Sequence, residues 1–246
     1  MSIKIKTVPV GRVLHWYQRA WQMFKEQPGL WMFATFVMFL VMLVSALLDI
    51  VGFVARAMVM PFLLAGFYHL AFRANHQVGS KFNDMFAPFK DKQAQTVLLQ
   101  IGLVGLLFNL LALPSAESFY AAFSKGEQPA DVDVYTLTAL NAGHFLLTFY
   151  AIPVAFFHHE RNVITTIITS VKACLMNLPV LLIFAISSMF LVSFALALTM
   201  GLALTVIMPW LMIVSFLSFS DVIGGDFTLD DENKDDDDDN DMTIIA

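Results

Sequence analysis

The feature that most constrains this sequence is a run of 48 consecutive residues without a charge, from residue 173 to residue 220. A helix needs about 20 residues to cross the ~30 Å hydrocarbon core of a bilayer, so this run is long enough for two crossings. The chain of 246 residues is 58% hydrophobic and 14% charged, whereas soluble domains average ~45–50% and ~25%. The sequence therefore excludes an ordinary soluble domain and predicts an all-α, polytopic integral membrane protein.

Charge-free windows of this kind predict six transmembrane helices, which follow one another as three hairpins. The predicted spans are residues 30–48, 53–72, 96–113, 137–157, 179–199 and 202–219. With the segments between them they form a predicted membrane domain of residues 1–219. The largest connection on the outer side, residues 114–135, is polar, and we predict a loop there because it is too short and too poor in apolar pattern to form a domain.

The last part of the chain differs sharply in charge from the rest. Residues 220–246 contain eleven acidic residues and one lysine, so the net charge of −6 describes this segment, while the remainder is mildly basic. Few apolar residues and a run of aspartates predict a disordered acidic cytoplasmic tail. Two interpretations are open: a tethered polyanion that competes with anionic lipid or a partner for the basic face, and a solvated appendage.

Lysine and arginine are distributed unevenly between the two sides of the predicted membrane domain. Twelve of these cations fall in the termini and loops of one side, and two, Arg56 and Lys125, fall on the other. Short loops rich in Lys and Arg stay in the cytoplasm. We therefore predict that both termini are cytoplasmic.

A short amphipathic segment precedes each predicted hairpin, at residues 12–27, 80–90 and 163–177. In each one, apolar residues recur every three or four positions, as in a helix that lies in a membrane interface. The predicted apolar face is Leu14, Tyr17, Trp21 and Phe24 in the first segment, and Ile164, Ile167, Ile168, Val171 and Leu175 in the third. The residues predicted to bind lipid at the interface are Arg12, Trp16, Arg19, Trp21, Lys25 and Trp31.

Three prolines suggest that one segment and one hairpin form a unit that occurs three times. Pro61, Pro153 and Pro209 each follow an apolar residue in the second span of a hairpin, where proline removes a backbone hydrogen bond and kinks the helix. The alternative is that these prolines are simply tolerated, as prolines often are in transmembrane helices.

The first segment and first hairpin carry a resemblance to a known family. The residues concerned are Trp16, Trp21, Phe24, Lys25, Pro28, Trp31 and the stretch 61–66. They resemble an uncharacterised family of proteobacterial inner-membrane proteins, over residues of about 10 to 220. The resemblance implies a six-helix bacterial inner-membrane protein and no established activity. More distantly, the chain resembles the membrane domain attached to some glycerophosphodiester phosphodiesterases, but these residues hold no counterpart of the metal-binding catalytic domain.

Two polar groups could carry chemistry. His158, His159, Glu160 and Arg161 follow the fourth span, but adjacent histidines on a helix point about 100° apart, which argues against a metal site and favours a cap at the membrane boundary. Asn109, Asn141 and His144 lie inside spans. They are predicted either to line a polar intramembrane site or to form hydrogen bonds between helices. No cofactor is expected.

The leading hypothesis is a non-enzymatic inner-membrane protein that associates with lipid, chiefly an anionic leaflet, or with a membrane-protein partner or a second copy of itself. Its amphipathic segments would form a collar at the cytoplasmic leaflet. The alternative is a small transporter or lipid-translocating protein that uses the three kinked helices. A lipid-modifying enzyme is a third hypothesis, and a nucleic-acid partner is not expected.

Overall fold

The computed structural model describes residues 3–224, and this part of the chain is helical without a strand. The elements in order are α1 (Arg12–Glu26), α2 (Pro28–Ala46), α3 (Asp49–Asn75), a 3₁₀ helix (Phe82–Phe89), α4 (Lys92–Ser124), α5 (Asp131–Thr148), α6 (Ala151–Phe157), α7 (Val163–Met176), α8 (Leu178–Thr199) and α9 (Leu204–Val222). Six segments are long and apolar enough to cross a membrane, with α5 and α6 together counting as one. The predicted all-α class with six spans is confirmed, and the chain is a multi-pass membrane protein.

The helix starts follow from local sequence. Pro28 occupies the first position of α2, where its missing N–H would have had no partner within the helix. Asp91 caps α4 by accepting hydrogen bonds from the backbone N–H groups of Gln93 at 2.8 Å and Ala94 at 3.1 Å. Asn162 caps α7 in the same way. Side-chain oxygens thus satisfy donors that the first helical turn leaves unpaired.

The predicted loop at residues 114–135 is wrong. α4 continues through Pro114 to Ser124, and α5 begins at Asp131. Charged residues ended the apolar windows in this region, but a charge that faces outward does not end a helix. A hydrogen bond of 2.7 Å from the Ser118 hydroxyl to Asp133 Oδ2 then joins the two helices beyond the apolar stretch.

The contacts between elements follow a cyclic order. α3 packs against the 3₁₀ helix and α4, α5 and α6 pack against α7, and α9 packs against α1 and α2. The second span of each unit therefore contacts the first elements of the next unit, and the third unit closes on the first. A Cβ atom added at Gly66 of α3 would lie 1.8 Å from the Met85 carbonyl oxygen, so the close approach of the 3₁₀ helix requires glycine there.

Burial is concentrated at one end of the bundle. We call the packed end the part made of α1, α6, residues 61–72 of α3 and residues 209–222 of α9, where most side chains are buried. The open end comprises residues 39–56, 107–147 and 186–208, where most large apolar side chains are exposed. Because the spans alternate in direction, the three elements that precede the hairpins all lie at the packed end.

The predicted tail begins too early. Asp221 lies within α9, and its carboxylate bonds to α1 as described below. Its side chain belongs to the packed end because it has partners there, whereas composition had grouped it with the aspartates that follow. The rest of the predicted disordered tail, residues 225–246, lies outside the described residues.

Candidate functional site

α1 packs into the bundle through a face that only partly coincides with the predicted apolar face. Its buried residues are Val13, Trp16, Ala20, Met23 and Phe24. Of the predicted apolar face, Leu14 is 64% exposed and Trp21 is 42% exposed. The centre of the buried face is displaced by about one residue, or 100° around the helix. Phe24 is therefore buried, whereas Leu14 points outward and Trp21 lies at the edge of the contact with the bundle.

Trp16 and Trp31 are wrongly included among the predicted lipid-binding residues. Trp16 is 1% exposed and donates its indole N–H to Asp221 Oδ2 at 2.6 Å. Trp31 is fully buried, donates to the Met23 carbonyl at 3.0 Å, and packs on Phe67. Both indoles find their polar partner inside the protein, which satisfies the requirement that draws other tryptophans to the membrane interface.

Arg12 forms an ion pair with Asp221, which lies 209 residues later in the chain. The guanidinium donates from Nε at 2.5 Å and from Nη2 at 3.1 Å, one bond to each carboxylate oxygen. The hydrogen bond to Asp221 raises the pKa of Arg12 above its usual value, although burial opposes this. Two charges and the Trp16 indole thus satisfy one another, and the pair ties α1 to the end of α9.

Arg19, one helical turn from Trp16, is held more loosely. Its Nε and Nη2 lie 3.4 and 3.3 Å from the side-chain oxygen of Asn75 at the end of α3, beyond the usual N–H···O range of ~2.7–3.2 Å. Arg19 and Arg12 share a cavity of about 270 Å³ between α1, α3 and α9. Its lining is Arg12, His15, Trp16, Arg19, Asn75, Leu217, Ser220 and Asp221.

The two remaining predicted interface residues are at the surface. Trp21 stacks on Phe24 with ring centroids 5.6 Å apart and meets the edge of Trp210 at 6.0 Å, while its outer face stays exposed. Lys25 is exposed in the last turn of α1, where a cation interacts favourably with the helix dipole. Arg12, Arg19, Trp21 and Lys25 therefore lie along one helix, at or near its surface.

Much of the predicted apolar face of α7 points away from the protein. Ile164, Ile168 and Leu175 are 64%, 46% and 55% exposed, whereas Thr166 and Ser170 are fully buried. The Ser170 hydroxyl donates to the Leu146 carbonyl at 2.9 Å and accepts from the Tyr150 N–H at 3.1 Å. Small hydroxyl residues facing protein and large aliphatic residues facing outward are the arrangement of helices surrounded by lipid.

The predicted intramembrane polar residues do not converge on one pocket. Asn109 and Asn141 are exposed, and each donates its side-chain N–H to a carbonyl of its own helix, at Gly105 and Leu137, at 2.8 and 2.7 Å. His144 packs against α4, where a Cβ at Gly105 would lie 3.2 Å from its Nε2. This part of α4 and α5 is a contact between two helices, and the side-chain amides of both asparagines are hydrogen-bonded within their own helices.

The segment after α6 joins two helix starts. His159 Nδ1 lies 3.4 Å from Asp91 Oδ2 at the start of α4, and Glu160 accepts from the Asn162 N–H at the start of α7. Burial raises the pKa of Asp91, but hydrogen bonds from His159 and from the N–H groups of Ala94 and Gln93 outweigh it, so that this pKa lies below its usual value. Within residues 3–224, no group of three or more His, Cys, Asp or Glu could hold a metal ion.

Asn177, which was not among the predicted site residues, joins the N-terminal segment to the helices. It is 2% exposed. Its side-chain oxygen accepts from the Val8 N–H at 2.9 Å, and its N–H donates to the Lys6 carbonyl at 3.0 Å. The Lys6 N–H in turn bonds the Val222 carbonyl at 2.8 Å. The buried amide therefore fixes the N-terminal segment at the junction of α7 and α8, and the Lys6 backbone bond fixes it to α9.

Comparison with protein-family models, with curated proteins and with solved structures found no match to this chain.

Proposed function

We propose that this protein is a non-enzymatic membrane protein of the bacterial inner membrane, whose packed end forms a cationic collar that associates with anionic lipid at the cytoplasmic leaflet. In this proposal both termini are cytoplasmic. The observation that carries it is the coincidence of two features at the packed end: most of the cations, and apolar side chains that point outward from α1 and α7.

The cations support an anionic leaflet as the partner. The positions of α1, the 3₁₀ helix and α7 at one end bring Arg19, Lys25, Lys90 and Lys172 to the same side as the N-terminal segment. Each Lys or Arg near an anionic surface contributes about 1 kcal/mol. Lys125 lies on the opposite side, at the connection between α4 and α5.

The outward apolar residues support contact with the bilayer itself. Leu14, Trp21, Ile164 and Ile168 are exposed on helices that flank the spans. Exposed aliphatic and aromatic side chains next to cations bind the boundary between headgroups and acyl chains. A protein partner or a second copy of the chain would cover only part of such a collar, which is why lipid is the favoured associate.

The alternative, a carrier, receives less support. A path for a polar solute needs polar side chains that face it at mid-depth. Asn109 and Asn141 instead satisfy their amides on their own helices. At the packed end the space between α6 and α9 is filled by aromatic rings, with Phe157 and Phe219 stacked at 5.7 Å.

The test of the proposed function measures lipid preference. The full chain is reconstituted into nanodiscs with equal phosphatidylglycerol and phosphatidylcholine, and the lipid that co-purifies after mild detergent extraction is analysed. We expect enrichment of phosphatidylglycerol, which decreases for Lys25→Gln combined with Lys172→Gln and at high salt, because both cations are exposed. Lys125→Gln is the matched control and should change nothing. Equal recovery of both lipids by the unaltered protein would contradict the proposal.

Orientation is tested separately with cysteine labelling in intact cells. The native Cys174 is buried, and burial raises the pKa of its thiol to about 12, which makes it unreactive. An impermeant maleimide should label Gly126→Cys from outside and Gln22→Cys only after the membrane is opened. The reverse pattern would contradict cytoplasmic termini.

A further inference from the structure

The cavity between α1, α3 and α9 is the polar pocket best placed to meet a lipid headgroup. α3 and α9 are membrane-spanning segments that end at Asn75 and Val222, and the cavity lies beside both ends. Its depth therefore matches the headgroup region of the same leaflet as the collar. At about 270 Å³ it falls just below the ~300–1,000 Å³ typical of ligand pockets, a size for a headgroup without its acyl chains.

The charges that face the cavity are not balanced. Asp221 is its acidic residue, and both carboxylate oxygens are occupied, by Arg12 and by the Trp16 indole. Arg19 has a neutral amide oxygen at 3.3–3.4 Å as its hydrogen-bond partner within the described chain. Among residues 3–224, one full positive charge is thus left without an acidic partner, and the exposed His15 lies at the same cavity.

The donors available in the cavity suit a phosphate group. Guanidinium presents five N–H donors in a planar fork that matches phosphate oxygens, and the long contacts to Asn75 leave that capacity largely unused. Ser220 adds a hydroxyl, and Trp16 with Leu217 supplies an apolar wall. The arrangement has a charged side for the phosphate and an apolar side for the carbon atoms esterified to it.

We infer that this cavity is a binding site for the phosphate ester of one anionic phospholipid, with Arg19 as its principal ligand and Arg12 held in place by Asp221. The inference rests on the proposed function and goes further, because it assigns one lipid to one site instead of a preference to a whole surface. The same chemistry would accept free phosphate, and the experiment separates the two sources.

The experiment titrates the purified full chain in detergent with dioleoyl-phosphatidylglycerol and counts bound lipids by native mass spectrometry. We expect one lipid to bind more tightly than the others. Arg19→Gln should weaken that first lipid about tenfold, the effect of one hydrogen bond to a charged group. Lys125→Gln removes the same charge at the opposite side of the bundle, outside both the cavity and the collar, and should leave the first lipid unchanged.

A second variant tests the same site in case Arg19→Gln fails to fold. His15 is exposed, so His15→Glu changes the charge at the mouth without disturbing the core, and it too should weaken the first lipid. Parallel titrations use inorganic phosphate and phosphatidylcholine. Competition by phosphate at equal concentration would assign the site to a soluble phosphate, whereas binding of phosphatidylglycerol alone assigns it to lipid.

The outcomes separate the inference from the proposed function. A first lipid bound equally by the unaltered chain, Arg19→Gln and His15→Glu would overturn the site, even if the nanodisc experiment still finds phosphatidylglycerol enriched. If the nanodisc experiment finds no enrichment of phosphatidylglycerol but the first lipid still binds in an Arg19-dependent way, the collar proposal is wrong and the binding site stands.

Discussion

The packed end and the open end of the bundle are built from the same six spans but are held together by different means. At the packed end, aromatic rings interlock and buried polar groups are paired, as in the hydrogen bond of 2.5 Å between the hydroxyls of Tyr150 and Ser218. At the open end, Leu47, Phe190 and Met200 are 76%, 71% and 98% exposed. Lipid tails are as apolar as these side chains, so exposure there carries no penalty in a bilayer.

The two ends of the bundle are therefore stabilised by different surroundings. Protein contacts stabilise the packed end, which also carries most of the cations of the described residues, while the surrounding bilayer stabilises the open end. Substitutions at the two ends should therefore differ in cost even when the residue type is the same.

We expect the largest difference in the free energy of unfolding between substitutions of two phenylalanines, one at each end. Phe67 is fully buried in α3, and Phe190 on α8 is 71% exposed. Phe67→Ala should lower the free energy of unfolding by about 3–5 kcal/mol because it leaves a cavity, and Phe190→Ala should change it by less than about 0.5 kcal/mol. Unfolding by sodium dodecyl sulfate in mixed micelles measures both. Similar losses of unfolding free energy at the two positions would contradict the view that the two ends are stabilised differently.

A second comparison removes one carboxylate from each end. Asp221→Ala leaves the buried Trp16 N–H and the Arg12 guanidinium without their acceptor, and should cost about 2–3 kcal/mol. Asp133 accepts one hydrogen bond, from Ser118, at an exposed position of the open end. Asp133→Ala is therefore the control, with an expected loss under about 0.5 kcal/mol in the same micelle assay. An equal cost for both would mean that the Arg12 pair adds nothing to the packed end.

A third comparison concerns two asparagines. Asn177→Ala removes two hydrogen bonds to the N-terminal segment and should cost about 1–2 kcal/mol, with faster hydrogen exchange at the amide of Val8. Asn141→Ala removes one bond within a single exposed helix turn and should leave exchange unchanged. If Val8 stays protected in Asn177→Ala, something other than this amide fixes the N-terminal segment.

The smallest effect depends on pH. The pKa of Asp91 lies below its ordinary value of 3.8, so its contribution is fully present above that value and is lost as the pH falls through the lower, folded value. Asp91→Ala should lower stability by about 1 kcal/mol near neutral pH, the usual cost of losing a helix cap. The difference between the variant and the unaltered protein should shrink in acid below the ordinary value. A difference that is constant with pH would exclude an ionised cap.

The sequence predicted the parts of this fold that depend on composition along the chain. Six apolar stretches and three preceding segments are local features, and hydropathy reports them directly. The faces of the segments were not predictable in the same way. In α1, the predicted apolar face contains both the exposed Leu14 and the buried Phe24, because the neighbouring helices decide which side of an amphipathic helix packs against the bundle.

Contacts between residues far apart in the chain could not be predicted from the sequence either. Nothing near Asp221 distinguishes it from the acidic residues that follow, and its partners Arg12 and Trp16 lie more than 200 residues away. The cavity with Arg19 forms only when α1 meets the ends of α3 and α9. The sequence marks Arg and Trp residues of α1 as predicted lipid contacts, but the contact of α1 with α3 and α9 decides whether each one faces lipid or protein.

We propose that the packed end, and not the open end, meets anionic lipid. A photoreactive benzoylphenylalanine placed at Trp21, which is 42% exposed on α1, and another at Phe190 compare the two ends in one membrane of mixed phosphatidylglycerol and phosphatidylethanolamine. We predict that the probe at Trp21 crosslinks phosphatidylglycerol above its share of the bilayer, while the probe at Phe190 crosslinks the two lipids in proportion to their abundance. The same lipid composition at both probes would contradict the claim.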